Sequence, residues 1–441
     1  MATIGSSNHP GKAKWLFIVL FLLLAAAGTL VWFRLSAPPS RPFTVPGSQA
    51  AASFAATIQP EEVKKIEVRL QNILMTDVGF VSWYQQANTE LGLPAQWSGE
   101  WIAQDQLLYG FWLAEQGRKT SFDQWNKQFR TYFLSPRGLV YPVRNKAGDD
   151  SLEMMTRLDS DARLEPAADD SESWPDSLLY LRVLALAYAK WPSDSLNQEE
   201  TGLAGVLTQV IGTGLTPDRL VAIPTSAPTQ DPAATPTPRP DPATEQEAAS
   251  YAGDPVIRLA ALDLLALKAL AELDPALDSR YAEAVSLVQE GLISEALPLY
   301  AYGFATSQQG YVRFIRPTPV IDLQESLACA LHLAEIGQLD PRTLSWLLEH
   351  LLNDNVLYTT YHITQGQPST AEESLAGLAL TARIARIAGH EPLYRQAVER
   401  LSWHRATSPT SSVLDAVFRQ DSQGVVTMTA RDNILALLAM S

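Results

Sequence analysis

Apolar residues recur along most of this chain at intervals of three and four, the spacing that lines them along one face of an α-helix. From Asp176, the run DSLLYLRVLALAYAKW sets Leu178, Leu181, Val183 and Leu184 within a broad apolar face. From Asp254, DPVIRLAALDLLALKALAEL is apolar nearly all round, which predicts a buried helix with Pro255 at its first position. Further helices are predicted near 61–74, 103–115, 121–133, 323–336, 341–352, 372–388 and 392–401. Gly117, Gly337 and Gly389 each follow a helical pattern, where a left-handed residue ends a helix. Helix pairs about Gly117 and Gly389 predict stacked helical hairpins. No strict period runs through them, which favours a closed irregular array over a regular solenoid. Strand patterns are short, at 138–143 and 310–315.

Three stretches break the helical pattern. Residues 15–33, WLFIVLFLLLAAAGTLVWF, hold no charge and are long enough to cross ~30 Å of hydrocarbon, with Trp15 and Trp32 near the two ends. A cleavable signal would have a shorter apolar core and a small-residue cleavage site, which RLSAPPSRPF fits poorly. The expectation is an uncleaved single-pass anchor. It leaves residues 1–14 as a short cytoplasmic tail and the body outside the cytoplasm. Residues 34–58 are rich in Pro, Ser and Ala and are expected to form a disordered tether. Residues 223–248, IPTSAPTQDPAATPTPRPDPATEQEA, lack apolar periodicity and are expected to be a disordered segment, either between two domains or within one.

Composition narrows the function classes. At 46% apolar and 18% charged the chain is ordinary for a globular protein. The net charge of −15 provides no footprint for nucleic acid or attraction to anionic lipid. The single cysteine, Cys329, lies in an apolar run and is expected to pack in the core. The six histidines make no metal-ligand spacing such as H-E-x-x-H, and His332, within an apolar helix, reads as a packed histidine. There is no G-x-S-x-G elbow, Walker loop or G-x-G-x-x-G fingerprint. No metal or cofactor is expected.

Four stretches together resemble the family 8 glycoside hydrolases, closest to the membrane-anchored branch associated with bacterial exopolysaccharide. They are QDQLLYGFWLAEQGRKTSFDQWNKQFRTYFLSPRGLVYPVR, DSLLYLRVLALAYAKW, GDPVIRLAALDLLALKAL, and VIDLQESLACALHLAEIG with the later LYTTYHITQGQPSTAEESLAGLAL. The resemblance implies an all-α fold, an (α/α)6 toroid of six helical hairpins over residues 59–441, with 223–248 as an insertion in one domain. It also implies inverting cleavage of a β-1,4-linked polysaccharide.

That chemistry needs a protonated carboxyl for the leaving oxygen and a carboxylate base across the ring, ~6.5–9.5 Å away. The resemblance assigns the base to Asp254 and a sugar-contacting role to Asp176. Each is also readable as a helix N-cap, a common place for Asp. The family's acid glutamate falls at Gln104 or at Asp105, according to where the helix is aligned. Gln cannot donate a proton as an acid, and Asp holds its proton more than ~1 Å further back, a misplacement that costs roughly 10²-fold. Trp83, Tyr84, Trp97, Trp101, Tyr109, Trp112 and Trp125 crowd the same region. Flat rings suit the apolar C–H faces of sugars, and Trp101 and Tyr109 are the groove candidates, with Trp112 and Trp125 expected in the core. The alternatives are a glycan-binding descendant that has lost catalysis and a helical protein-interaction scaffold.

Overall fold

The computed structural model describes residues 43–47, 54, 58–146, 164–165, 172–215, 218–219, 255–314 and 319–441. The expected anchor at 15–33, the insertion at 223–248 and Asp254 lie outside them. Among the described residues no helix is long and apolar enough to cross a membrane.

Twelve helices are described: α1 (Pro60–Leu74), α2 (Ala103–Glu115), α3 (Lys119–Phe133), α4 (Trp174–Lys190), α5 (Asp194–Gly212), α6 (Leu264–Leu273), α7 (Asp278–Glu290), α8 (Leu323–Glu335), α9 (Pro341–Asn353), α10 (Leu375–Ile387), α11 (Glu391–Trp403) and α12 (Ala430–Met440). The even-numbered helices form the inner layer. Each packs on the next, and α12 returns to α2, so the ring closes. The odd-numbered helices form the outer layer, α1 packing against α12. This is a toroid of six hairpins.

Burial follows from the two layers. Inner helices touch protein on every side, so α2, α4, α10 and α12 are buried at nearly every position. Outer helices bury one stripe: Val63, Ile66, Leu70 and Leu74 on α1, and Phe122, Trp125, Phe129 and Phe133 on α3. Each of these side chains contributes roughly 1.5–3 kcal/mol by leaving water. Gly117, Gly337 and Gly389 adopt φ of +69°, +73° and +70°, ending α2, α8 and α10 and turning the chain into the outer helix that follows. At Gly110 an added Cβ would lie 2.2 Å from the Trp125 ring, so α2 and α3 approach through a glycine.

Thirteen short strands trim the ring ends. In chain order they are β1 (Trp83–Gln85), β2 (Gln96–Trp97), β3 (Glu100–Ile102), β4 (Val143–Lys146), β5 (Leu164–Glu165), β6 (Asp218–Arg219) and β7 (Pro255–Arg258). They continue with β8 (Gly303–Ala305), β9 (Gly310–Val312), β10 (Val320–Asp322), β11 (Thr360–His362), β12 (Arg419–Gln420) and β13 (Val426–Thr429). They form four antiparallel sheets, ordered β12-β13-β1-β2, β3-β4-β5, β6-β7-β8-β9 and β10-β11. β3, β10 and β13 run directly into α2, α8 and α12.

Two expectations are corrected here. The apolar run after Asp254 is not one helix. Residues 255–258 form β7, with Ile257 opposite Phe304, and α6 starts only at Leu264, where the Asp263 carboxylate caps the Ala266 N–H at 3.0 Å. Backbone groups satisfied in a sheet are lost to a helix, and the true cap lies nine residues downstream of Asp254. Part of the expected tether also docks on the body. Phe54 is buried and stacks on Tyr394 at 5.1 Å, and Phe43 and Val45 pack against the core.

Candidate active site

The N-terminal ends of the inner helices converge on a pocket of about 380 Å³. Its rim holds Gln104 of α2, Asp176 of α4, Asp263 before α6, Glu325 of α8 and Arg431 of α12. Apolar side chains one or two turns deeper, among them Leu108, Leu179 and Leu331, form its inner wall. Helix N-termini carry partial positive charge, which offsets the cost of placing carboxylates there. Five of the six inner helices have side-chain caps: Ser173, Asp263, Asp322, Ser374 and Thr429. α2 has none.

Asp176 is not the cap of α4. Ser173 takes that role by accepting the Asp176 N–H at 3.2 Å, and Asp176 lines the pocket beside Trp174 and Pro175. Its side chain is part of the pocket lining. Gln104 also lines the pocket. Asp105 does not. It is 1% exposed, its carboxylate is bonded by the Arg431 Nε, and Arg431 is the member of the pair that reaches the pocket. Burial pushes the Asp105 carboxyl up, and the neighbouring guanidinium offsets this only in part.

The groove roles expected of Trp101 and Tyr109 do not hold. Trp101 has no exposed surface and donates its indole N–H to Thr76 Oγ1 at 2.9 Å. Tyr109 is buried against Phe80 and Trp112, its hydroxyl accepting from Gln71 at 2.8 Å and donating to Glu67 at 3.2 Å. Rings flanked by core on both faces cannot meet a sugar. The crowd of aromatics in this region is hairpin packing, Trp112 and Trp125 included. The ring that does line the pocket is Trp174.

Asp263 also belongs to a charged cluster, partly behind the pocket lining, that no sequence motif announced. The Arg182 guanidinium donates to Asp263 Oδ2 at 3.1 Å and to both carboxylate oxygens of Glu335, the Nη1 bond being 2.8 Å. His332 faces the same group. Its Nε2 lies 3.2 Å from the Ala260 carbonyl, an acceptor only, so Nε2 carries a proton. Its Nδ1 lies 3.8 Å from Glu335 Oε2. Burial alone would raise the Glu335 carboxyl, but Arg182 and His332 overcome it and hold it at about 2. The carboxylates in turn lift His332 against burial. Asp263, His332 and Glu335 present ligand atoms within 4.8 Å of one another, as a metal site would. Arg182 already bonds both carboxylates, and a buried guanidinium repels a dication, so the geometry is that of an ion-pair network joining α4, α6 and α8. Reading His332 as simple core filler missed this. The i, i+3 pair His332 and Glu335 on one helical face was the available signal.

A second ion pair, Arg258 with Glu325 (Nε to Oε2, 2.7 Å), ties β7 to α8 at the pocket wall. The pocket therefore presents several oxygen acceptors and guanidinium donors beside one flat ring, the polar equipment for a polyhydroxylated ligand.

Compared by sequence, the chain matches no protein-family model and no curated protein. Compared by structure, it shares the six-hairpin toroid of the family 8 glycoside hydrolases. It is similar to a protein described as a novel alpha-amylase from Clostridium perfringens, with TM-score 0.63 at 19% identity, over 87% of this chain and 98% of that one. PssZ from Listeria monocytogenes has TM-score 0.53 at 14% identity, over 92% and 97%. Endoglucanase Cel10, a family 8 glycosyl hydrolase from Klebsiella pneumoniae, has TM-score 0.52 at 10% identity, over 85% and 97%.

Proposed function

We propose that this chain is a glycosidase-type protein that takes a β-1,4-linked polysaccharide, such as an exopolysaccharide, into the pocket at the N-terminal ends of its inner helices. The observation that supports this most is the composition of that pocket: Asp176, Glu325 and Arg258 beside the Trp174 ring, at the mouth of a toroid shared with proteins described as glucanases and an amylase. In this reading cleavage is inverting, Asp254 is the base and Asp176 contacts the sugar at the cleavage point. Residues 15–33 anchor the chain in a cell membrane, with the body outside the cytoplasm.

One observation favours a second reading, a glycan-binding protein that does not cleave. A general acid must come within ~2.6–3.2 Å of the leaving oxygen. At the expected position the pocket meets Gln104, which has no acidic proton, while Asp105 is held by Arg431.

The test mixes the full chain in detergent with β-1,4-glucan, chitosan, bacterial exopolysaccharide and α-1,4-glucan, and records binding and reducing-end release. Asp176→Asn is expected to weaken binding about tenfold, the worth of one charge-assisted hydrogen bond. Release that is abolished by Asp254→Asn establishes the hydrolase, and its loss in Asp105→Asn as well makes Asp105 the acid. Binding without release establishes the second reading. Neither binding nor release on any of the polymers sinks both. The anchor is checked by membrane pelleting, which deletion of 15–33 should abolish.

A further inference from the structure

A second cavity, of about 280 Å³, opens beside the central pocket, and Gln324 lines both. Every residue around it is polar. Thr360 and Ser374 are buried, and Thr370 Oγ1 and Ser374 Oγ accept the Glu372 and Gly377 N–H groups at 3.0 Å each. A hydroxyl that accepts one N–H keeps a second lone pair and its own hydrogen. Arg419 donates to Glu372 at 2.8 Å and is fixed from behind by Asp432. Such a cavity has little apolar surface for a lipid or an aliphatic side chain and matches a ligand that carries hydroxyls all round.

Beyond this cavity the same face bears an exposed aromatic. Trp403 ends α11, and the C-terminal ends of outer helices lie on the side where inner helices begin, because each hairpin is antiparallel. Glu373, next to the cavity's Glu372, is gripped by Arg400 at 2.6 Å and His404 at 2.8 Å, the residues that flank Trp403. The Arg400 guanidinium lies 5.0 Å from the Trp403 ring centre, yet Trp403 remains 61% exposed, the most exposed large hydrophobic side chain among the described residues. An exposed ring whose orientation is set by a salt-bridged neighbour is a platform ready for a flat apolar face.

We infer that the polar cavity at Gln324 and the Trp403 ring form a distal subsite, which takes further pyranose units of the glycan chain whose other part occupies the central pocket. The inference rests on the glycan reading above. The cavity receives the hydroxyl edge of one unit, and Trp403 stacks on the C–H face of a later one. The subsite therefore acts on long chains and is silent on short ones.

The test uses the full chain in detergent with a β-1,4-glucan and an α-1,4-glucan, each as polymer and as its disaccharide, and compares wild type with Trp403→Ala, Thr360→Val and Asp176→Asn. Trp403→Ala removes a mostly exposed ring and its contact with Arg400, so the fold is expected to hold, which a melting curve checks. It is expected to weaken polymer binding about three- to tenfold, the range of one aromatic stacking contact, and to leave the disaccharide unchanged. Thr360→Val should act in the same sense, and Asp176→Asn on both ligands. Polymer affinity unchanged in Trp403→Ala while Asp176→Asn still weakens it overturns the subsite and spares the glycan reading. Equal losses on polymer and disaccharide also overturn it. So does a change in self-association without a change in glycan affinity, which would make Trp403 a contact between copies. Wild type that binds neither polymer overturns subsite and glycan reading together.

Discussion

Arg182→Met removes the guanidinium that binds two buried carboxylates and leaves a side chain of similar length. Arg182, Asp263 and Glu335 have side chains 5%, 6% and 1% exposed, so solvent cannot take over the lost interaction. Breaking a buried pair from one side costs about 3–5 kcal/mol. The Glu335 carboxyl is held at about 2 against an ordinary value of 4.5 by Arg182 and His332 together, against the opposing effect of burial. With roughly 2 cal/mol/K of unfolding entropy per residue, a domain of this size should lose about 4–7 °C in melting temperature. The pH dependence has a definite sign. A depressed carboxyl contributes stability that is present above 4.5 and is lost as pH falls toward 2, because the unfolded chain takes up the proton first. The gap between wild type and Arg182→Met should therefore be widest near neutral pH and narrow below about 4.5. Melting curves over that range read both features. A neutral-pH gap under about 1 kcal/mol, or one that widens on acidification, would refute the account of the cluster as a charge-balanced clamp. Near-wild-type stability on replacing all three residues by apolar ones of similar volume would support it.

Two further outcomes follow from packing. Gly110→Ala puts a Cβ at 2.2 Å from the Trp125 ring, so the first hairpin must open, and a loss of about 1–3 kcal/mol is expected in chemical denaturation. Cys329 is 1% exposed and burial pushes its thiol well above its ordinary range, so alkylation of native protein should be negligible at neutral pH and should rise only with global unfolding.

Local pattern specified the helices closely where a broad apolar face coincided with a strong end signal. α2, predicted at 103–115, runs Ala103–Glu115, and Gly117, Gly337 and Gly389 end helices as expected. Three helices were not predicted. α7 buries only Ala284 and Val288 among its apolar residues, so its period is faint, whereas α5 buries Leu196, Leu203, Ala204, Leu207 and Ile211 at helical spacing among polar neighbours, a stripe that was legible but not used. α12 is buried at all positions but one, so it shows no alternation of apolar and polar faces. At Asp254 an acid-proline pair resembled a helix start, yet pairing of β7 with β8 claimed the backbone and moved the start to Asp263.

What the sequence determined by itself is the part of the protein that depends on neighbours three and four residues away: helical content, hairpin turns, and the fact that apolar faces must stack into layers. That Asp176 lies at the N-terminal end of an inner helix was also legible, through resemblance. What only the tertiary structure decided is which side chains share a space. Trp101 and Asp105 follow Glu100 along the chain into the α2 region, yet the closed ring buries both, one against Thr76 and the other against Arg431, 326 residues away. Arg182, Asp263 and Glu335 become one charged cluster because three inner helices converge, and the exposed Trp403, at the end of an outer helix, lies on the face where inner helices begin because hairpins are antiparallel. Contacts of that range depend on closing the ring, and no local periodicity encodes them.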